Sequence, residues 1–381
     1  MRRDGNTLAL YGSLGCLGYL FAGLGPALPH LRDELGLSRA AVALYPSALA
    51  LGLLVVGLTG HLVLPRLGRR AIPAATAVMS GGALVFGLGG DRFTCGAGAL
   101  LLGLGAAALV YAVPLALRAA HGDQATAAVG EANGVSSAGG LLAAPLVGAA
   151  LGLGLGWRPG YLAVPLLAAA VLVTVTLRVP PREVEPAERR PGSRAPRAFV
   201  ARWLDIVLAV SAEFCFALWA ADLLQSQRGL EAGTASVVAG LFVLGMVAGR
   251  AVASPVTRLV ASPPVVVAGS ALVGTAGASV LWLVADPVAA GAGLLVAGLG
   301  VALLYPVSLV RALVAWPQEP DRAAARCTFA SGLAIGLAPL VLGALADVVG
   351  LGTAVLLPAV LLAWLAVRAI ASARATRAAV V

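Results

Sequence analysis

The stretch from Gly96 to Tyr111, GAGALLLGLGAAALVY, returns from Gly291 to Tyr305 as GAGLLVAGLGVALLY. Seven of the first ten positions are identical: Gly96, Ala97, Gly98, Leu100, Gly103, Leu104 and Gly105 match Gly291, Ala292, Gly293, Leu295, Gly298, Leu299 and Gly300, each 195 residues apart in a chain of 381. The offset recurs outside the motif. Asp91 precedes the first copy as Asp286 precedes the second, Tyr111 pairs with Tyr305 at 194, Gly52 with Gly245 at 193, and Ala144-Pro145-Leu146 with Ala338-Pro339-Leu340 at 194. A duplicated half-chain is therefore the first organising fact, because an internal repeat of this kind dictates the architecture.

Hydrophobic residues make up 60% of the chain and charged ones 11%, with a mean hydropathy of +0.95. Soluble domains carry about 25% charged residues, so this is the composition of a membrane protein. Backbone amides in a bilayer must be bonded within their own segment, which makes the spans helices and the fold all-α. At about 20 residues per span, each half has room for about six. The 26 basic residues are all Arg and give a net charge of +9, which in a polytopic protein reads as orientation signal rather than as a nucleic-acid surface. Cys16, Cys95, Cys215 and Cys327 form no CxxC pair, so no metal site or disulfide framework is expected. Arg2 and Arg3 precede an apolar run too long for a signal-peptide core, which reads as a retained first span.

Apolar runs bounded by charge, Pro or Gly clusters give twelve spans, roughly 7–29, 40–64, 71–89, 94–117, 129–154, 159–178, 203–224, 232–253, 263–285, 288–312, 324–346 and 351–371. Alternate loops differ in arginine. One set holds Arg2 and Arg3, Arg66, Arg69 and Arg70, the Arg-rich 178–202, Arg250 and Arg258, Arg311, Arg322 and Arg326, and Arg368, Arg374 and Arg377; the opposite set holds Arg32, Asp33, Glu34 and Arg39, Asp91 and Arg92, Arg158, Asp222, Arg228 and Glu231, Asp286, and Asp347. The richer set is assigned to the cytoplasm, which places both termini there. The polar stretch RVPPREVEPAERRPGSRAPRAFVAR cannot bury a core. The expected organisation is a six-helix bundle over 1–178, a cytoplasmic linker over 179–202 and a second, pseudo-symmetric bundle over 203–381.

This arrangement resembles the major facilitator superfamily, and short motifs sharpen the likeness. His61-Leu-Val-Leu-Pro65-Arg66-Leu67-Gly68-Arg69-Arg70 is similar to that family's basic loop, with His61 in place of the usual Gly and Pro65 in place of the usual Asp. Gly140-Leu-Leu-Ala-Ala144-Pro145-Leu-Val-Gly148-Ala149 is similar to the Gly-Pro motif of its proton antiporters. The Gly156-Trp157-Arg158 step also looks like the family, whereas the usual fourth-span arginine is here Ala99. Independently of the likeness, Gly140, Ala144, Gly148 and Gly152 recur every four residues and draw a smooth stripe where another helix can come close. Pro145 and Pro339, deep in matching spans, each remove a backbone hydrogen bond, so a bend is expected at both.

An ionisable side chain near the bilayer centre is costly enough to suggest function, and Glu213, in the seventh span, is the clear case. Loading and releasing a proton as water access alternates would couple transport to a proton gradient; the alternative is a neutral carboxyl that ties helices together. Asp222 is expected as a solvated rim charge near the outer end, Asp205 lies near the cytoplasmic mouth, and Arg118, Arg250 and Arg311 are expected to snorkel to that side. Tyr11, Tyr19, Tyr111, Asn133, Trp219 and Tyr305 are candidates to face a central cavity, with helix packing as the competing role of each. No arginine is expected mid-membrane, which disfavours a strongly anionic cargo. No HExxH, GxSxG or Walker loop is present, so no enzyme, cofactor or ATP-driven pump is expected.

The leading reading is a secondary transporter of the cell membrane, monomeric and multi-pass. It would export a small neutral, amphipathic or cationic organic molecule in exchange for protons by alternating access between repeat-built bundles. Nutrient uptake by symport or facilitated diffusion is the alternative. A non-transporting membrane sensor or scaffold is the remote one.

Overall fold

A computed structural model describes residues 4–176, 194–260 and 262–378. The described residues are overwhelmingly helical: α1 (Gly5–Leu35), α2 (Arg39–Leu67), α3 (Ala71–Leu88), α4 (Arg92–His121), α5 (Ala125–Gly152), α6 (Trp157–Thr176), α7 (Arg197–Arg228), α8 (Ala232–Ala251), α9 (Ala253–Leu259), α10 (Pro263–Leu283), α11 (Pro287–Val301), α12 (Leu304–Val314), α13 (Pro320–Val349), α14 (Leu351–Ala354) and α15 (Leu356–Ala378). Eleven helical stretches among the described residues are long and apolar enough to cross a membrane. The sixth expected span is represented by α6, which is not one of the eleven; most of the expected linker falls on 177–193, outside the described residues.

Two expected spans are each broken once, for the same reason. Pro306 has no N–H to give the Ala302 carbonyl, and α11 stops at Val301 before α12 resumes at Leu304. Pro358 likewise leaves the Ala354 carbonyl unanswered where α14 gives way to α15. In contrast, α5 and α13 run through Pro145 and Pro339 without interruption.

The chain clusters into two compact units: Met1–Leu37 with Leu44–Arg190, and Ser38–Ala43 with Pro191–Val381. In the first, α1 packs on α5 and α6, and α3 on α4 and α6. A chain of rings from Tyr45 through Phe86 to Trp157 and Tyr161 fills one end. In the second, α7 packs against α8, α12, α13 and α15, while α11 lies between α8 and α10. Large apolar side chains such as Leu58, Leu167, Leu259 and Val288 remain exposed on these helices, as lipid-facing surfaces require.

The repeated motif explains how the helices meet. Lipid gives apolar side chains little reason to leave it, so spanning helices associate by close backbone contact at small residues. On α4, a Cβ on Gly103 would strike the Leu49 carbonyl of α2, and one on Gly105 would strike the Met79 amide of α3. On α11, the same construction on Gly298 strikes the Phe242 carbonyl of α8, and on Gly300 the Gly274 amide of α10. Leu49 and Phe242 are 193 residues apart, Met79 and Gly274 195, so the duplicated glycines rest on duplicated backbone groups.

Helix ends repeat too. Asp91 caps α4 by accepting from Phe93 and Thr94, and Asp286 caps α11 by accepting from Ala289. The helices α1 and α7 both close on a left-handed glycine, Gly36 (φ 60°) and Gly229 (φ 66°), the conformation glycine adopts without Cβ strain.

Candidate functional site

Glu213 sits near the middle of α7, 19% exposed, with its Oε1 3.7 Å from the Arg250 guanidinium. Sequence reasoning sends Arg250 toward the cytoplasm as a snorkelling cation, and the structure corrects this. Arg250 lies in the last turn of α8, a helix packed on α7. Helical side chains lean toward their own N-terminus, so its long stem reaches back along the helix to the carboxylate. Tyr305, at the start of α12, faces Ser331 of α13. Among the described residues, Glu213 of α7 and Arg250 of α8 thus form one loose ion pair within the second unit. Protonating Glu213 would free Arg250, itself 41% exposed.

The other carboxylates of α7 are more heavily committed. Asp205 is fully buried among Arg202 (3.0 Å), Arg311 (3.6 Å) and Arg368 (2.9 Å). Asp222 is no solvated rim charge: it is 2% exposed and receives Arg39 Nε at 2.8 Å and Nη2 at 3.2 Å. Arg39 opens α2 within the second unit, where its backbone N–H and that of Ala40 donate to Asp347 of α13 at 2.9 and 2.8 Å. Ser38 accepts from Ala41 at 3.1 Å, so the orphan amides that begin any helix are answered here by two side chains.

The aromatic candidates divide. Tyr19 is 2% exposed and donates to the Gly160 carbonyl of α6, and Trp219 is 4% exposed and donates to the Pro339 carbonyl at 3.2 Å. Both are tied into helix contacts. Tyr11 is buried and donates to Glu131 Oε2 of α5 at 3.1 Å. Tyr111 and Asn133 are exposed and Tyr305 is half-buried. Gly140, Ala144 and Gly148 are buried; Gly140 lies against Gly18 and Ala22 of α1. In the basic loop Arg66, Gly68, Arg69 and Arg70 are exposed, with Gly68 at φ 50°; the side chains of His61 and Pro65 lie outside those described.

Two features escape a reading of the sequence. Glu131 is the one charged residue of α5, and that isolation is the signal that could have singled it out. Glu34 is the other: it takes a two-pronged contact from Arg158 at 2.9 and 2.6 Å and the Trp157 indole N–H at 3.1 Å, while Arg158 Nε donates to the Gly87 carbonyl at 2.7 Å. The Trp157-Arg158 step therefore ties α1, α3 and α6 together. Among the described residues no group of His, Cys, Asp and Glu could hold a metal ion.

Long apolar helices in repeated units are those of a multi-pass membrane protein. The chain belongs to the Major Facilitator Superfamily, whose model matches residues 10–310, and is a secondary transporter. Its fold is similar to that of a bacterial homologue of the human lysosomal transporter Spinster, with a TM-score of 0.76 at 16% identity, over 98% of this chain and 97% of that one. It is equally similar to the nucleoside transporter NupG in its D323A form, with a TM-score of 0.76 at 14% identity, over 96% of this chain and 99% of that one. No curated protein sequence matches it.

Proposed function

We propose that the protein exports a small neutral, amphipathic or cationic organic molecule across the cell membrane in exchange for protons, with Glu213 as the proton-carrying group. Twelve spans in two six-helix bundles, 1–178 and 203–381, would alternate access around the site, with the 179–202 linker and both termini cytoplasmic. The observation that carries the reading is the Glu213–Arg250 pair at 3.7 Å, held mid-helix on α7 by one cation. A carboxylate there must be paired or protonated, and exchange between those two states is what coupling to a proton gradient needs. Arg250 is matched by Glu213, so the pair offers no spare positive charge to a strongly anionic cargo.

The test is transport in proteoliposomes with an imposed pH difference, using a lipophilic cationic dye as cargo. Gradient-driven dye movement in the parent should be lost in Glu213→Gln at equal protein level. Equal movement in that variant overturns the assignment of the proton to Glu213, and net flux in the opposite direction identifies uptake.

A further inference from the structure

A second acid stands inside a spanning stretch. Glu131 is the one charged residue of α5, and it falls within Ala127–Gly152, one of the stretches long and apolar enough to cross a membrane. An ionisable side chain at such a position faces the bundle interior or water rather than lipid, because hydrocarbon cannot solvate it. Glu131 is half-buried. Gly130 beside it and Gly134 one turn on are exposed, and a Cβ on either would meet nothing within 4 Å. The carboxylate therefore borders open space.

Its orientation is fixed from α1. The phenol of Tyr11, a side chain only 4% exposed, donates to Glu131 Oε2 at 3.1 Å. One turn before Tyr11, the buried Thr7 hydroxyl meets His121 Nε2 of α4 at 3.0 Å. One turn after it, the Gly15 carbonyl lies where a Cβ on Gly139 of α5 would strike it. A side-chain bond on one side and backbone contact on the other leave Tyr11 little freedom. An ionised carboxylate is acceptor-only, so the phenol proton suits its charged form. A charged group aimed before its ligand arrives loses less entropy on binding. Glu213, by contrast, faces the Arg250 guanidinium at 3.7 Å, whereas the Tyr11 phenol brings a donor without a charge.

We propose that Glu131 binds the positive group of a cationic cargo: a quaternary ammonium, a phosphonium or a protonated amine. The site lies within the first unit. It rests on the proposed transport of an organic molecule and narrows the cargo to the cationic class, with the proton carried at Glu213 and the charge of the cargo read at Glu131.

Equilibrium binding to the purified full chain in detergent, with no gradient imposed, tests it. The probes are radiolabelled tetraphenylphosphonium and the fluorescent cations ethidium and rhodamine 6G. The parent should bind at least one of them, and Glu131→Gln should bind it about tenfold more weakly, the effect of one lost charged contact. Glutamine keeps an oxygen that can accept from Tyr11, so the helix contact survives the change. Glu131→Asp, which returns the charge on a shorter stem, should recover part of the affinity. Tyr11→Phe should weaken binding by about threefold by leaving the carboxylate unaimed. Equal affinity in the parent and Glu131→Gln overturns the assignment, as does a parent that binds none of the three cations. A loss in Glu131→Gln that Glu131→Asp does not begin to restore gives the residue to helix packing and also overturns it. Because no flux is read, failure of the export direction or of the Glu213 proton leaves each of these outcomes standing.

Discussion

Arg158 and Arg228 answer the same backbone group from different helices. Arg158, at the start of α6, donates to the Gly87 carbonyl at the end of α3; Arg228, the last residue of α7, donates to the Leu281 carbonyl at the end of α10. Gly87 and Leu281 are 194 residues apart, so each repeat has satisfied one equivalent orphan carbonyl with a cation from its own direction. Arg158 also grips Glu34, whereas Arg228 adds only a long contact to Trp282. Arg158→Ala should therefore lower the melting temperature in detergent more than Arg228→Ala does. The expected cost is about 1–3 kcal/mol for the lost charged bonds. Equal shifts would show that the Glu34 contact contributes nothing.

The glycine contacts predict a sharp positional contrast. Alanine at Gly103 or Gly298 drives a methyl into a carbonyl that cannot swing aside, and over-packing of this kind costs about 1–3 kcal/mol or more. Gly96 has nothing within 4 Å of its would-be Cβ, and Gly96→Ala should be tolerated or mildly stabilising. Thermal unfolding of the three variants checks this.

Asp222 and Arg39 form a pair with one partner almost wholly buried. Asp222→Ala should cost about 3 kcal/mol, most of it from the abandoned guanidinium rather than from the lost attraction. The double variant with Arg39→Ala should recover part of the loss, and a double-mutant cycle reads the coupling directly.

Acid should act on the cap of α4. The Thr94 hydroxyl, then the Thr94 and Phe93 amides, hold the Asp91 carboxyl below its ordinary value of 3.8. A carboxyl lowered by folding contributes stability that is present above the unfolded value and fades as pH falls through the folded one. The contribution should thus persist at neutral pH and fade only below about pH 4. Asp91→Asn should remove this component of the acid response in unfolding scans across that window.

Much of the architecture is legible in the residues. The offset of 193–195 residues anticipates the paired glycine contacts, and Asp91 and Asp286, noticed only as matching charges, are matching helix caps. The positions of the candidate site are less so, because a side chain's partner depends on how far it reaches across a helix contact. Glu213 stands out by its isolation in an apolar run, yet nothing in the run names Arg250, 37 positions on. Arg39 looks like a loop charge before a span, and only packing brings it to Asp222, 183 positions away. Asp205 draws its three cations from three helices, a convergence that no local spacing encodes.

The seating of Gly103 on Leu49 and of Gly298 on Phe242 has a consequence for how the duplicate copies could diverge. A main chain resting on a main chain presents no side group for mutation to vary at the seat, so that inheritance was locked while other positions were free to specialise. At the offset of 193 that pairs Gly36 with Gly229 and Gly52 with Gly245, Glu213 corresponds to Leu20 and Arg250 to Gly57. The second copy therefore carries an ion pair that its sibling lacks, and a frame born symmetrical now holds that charge contact on one side.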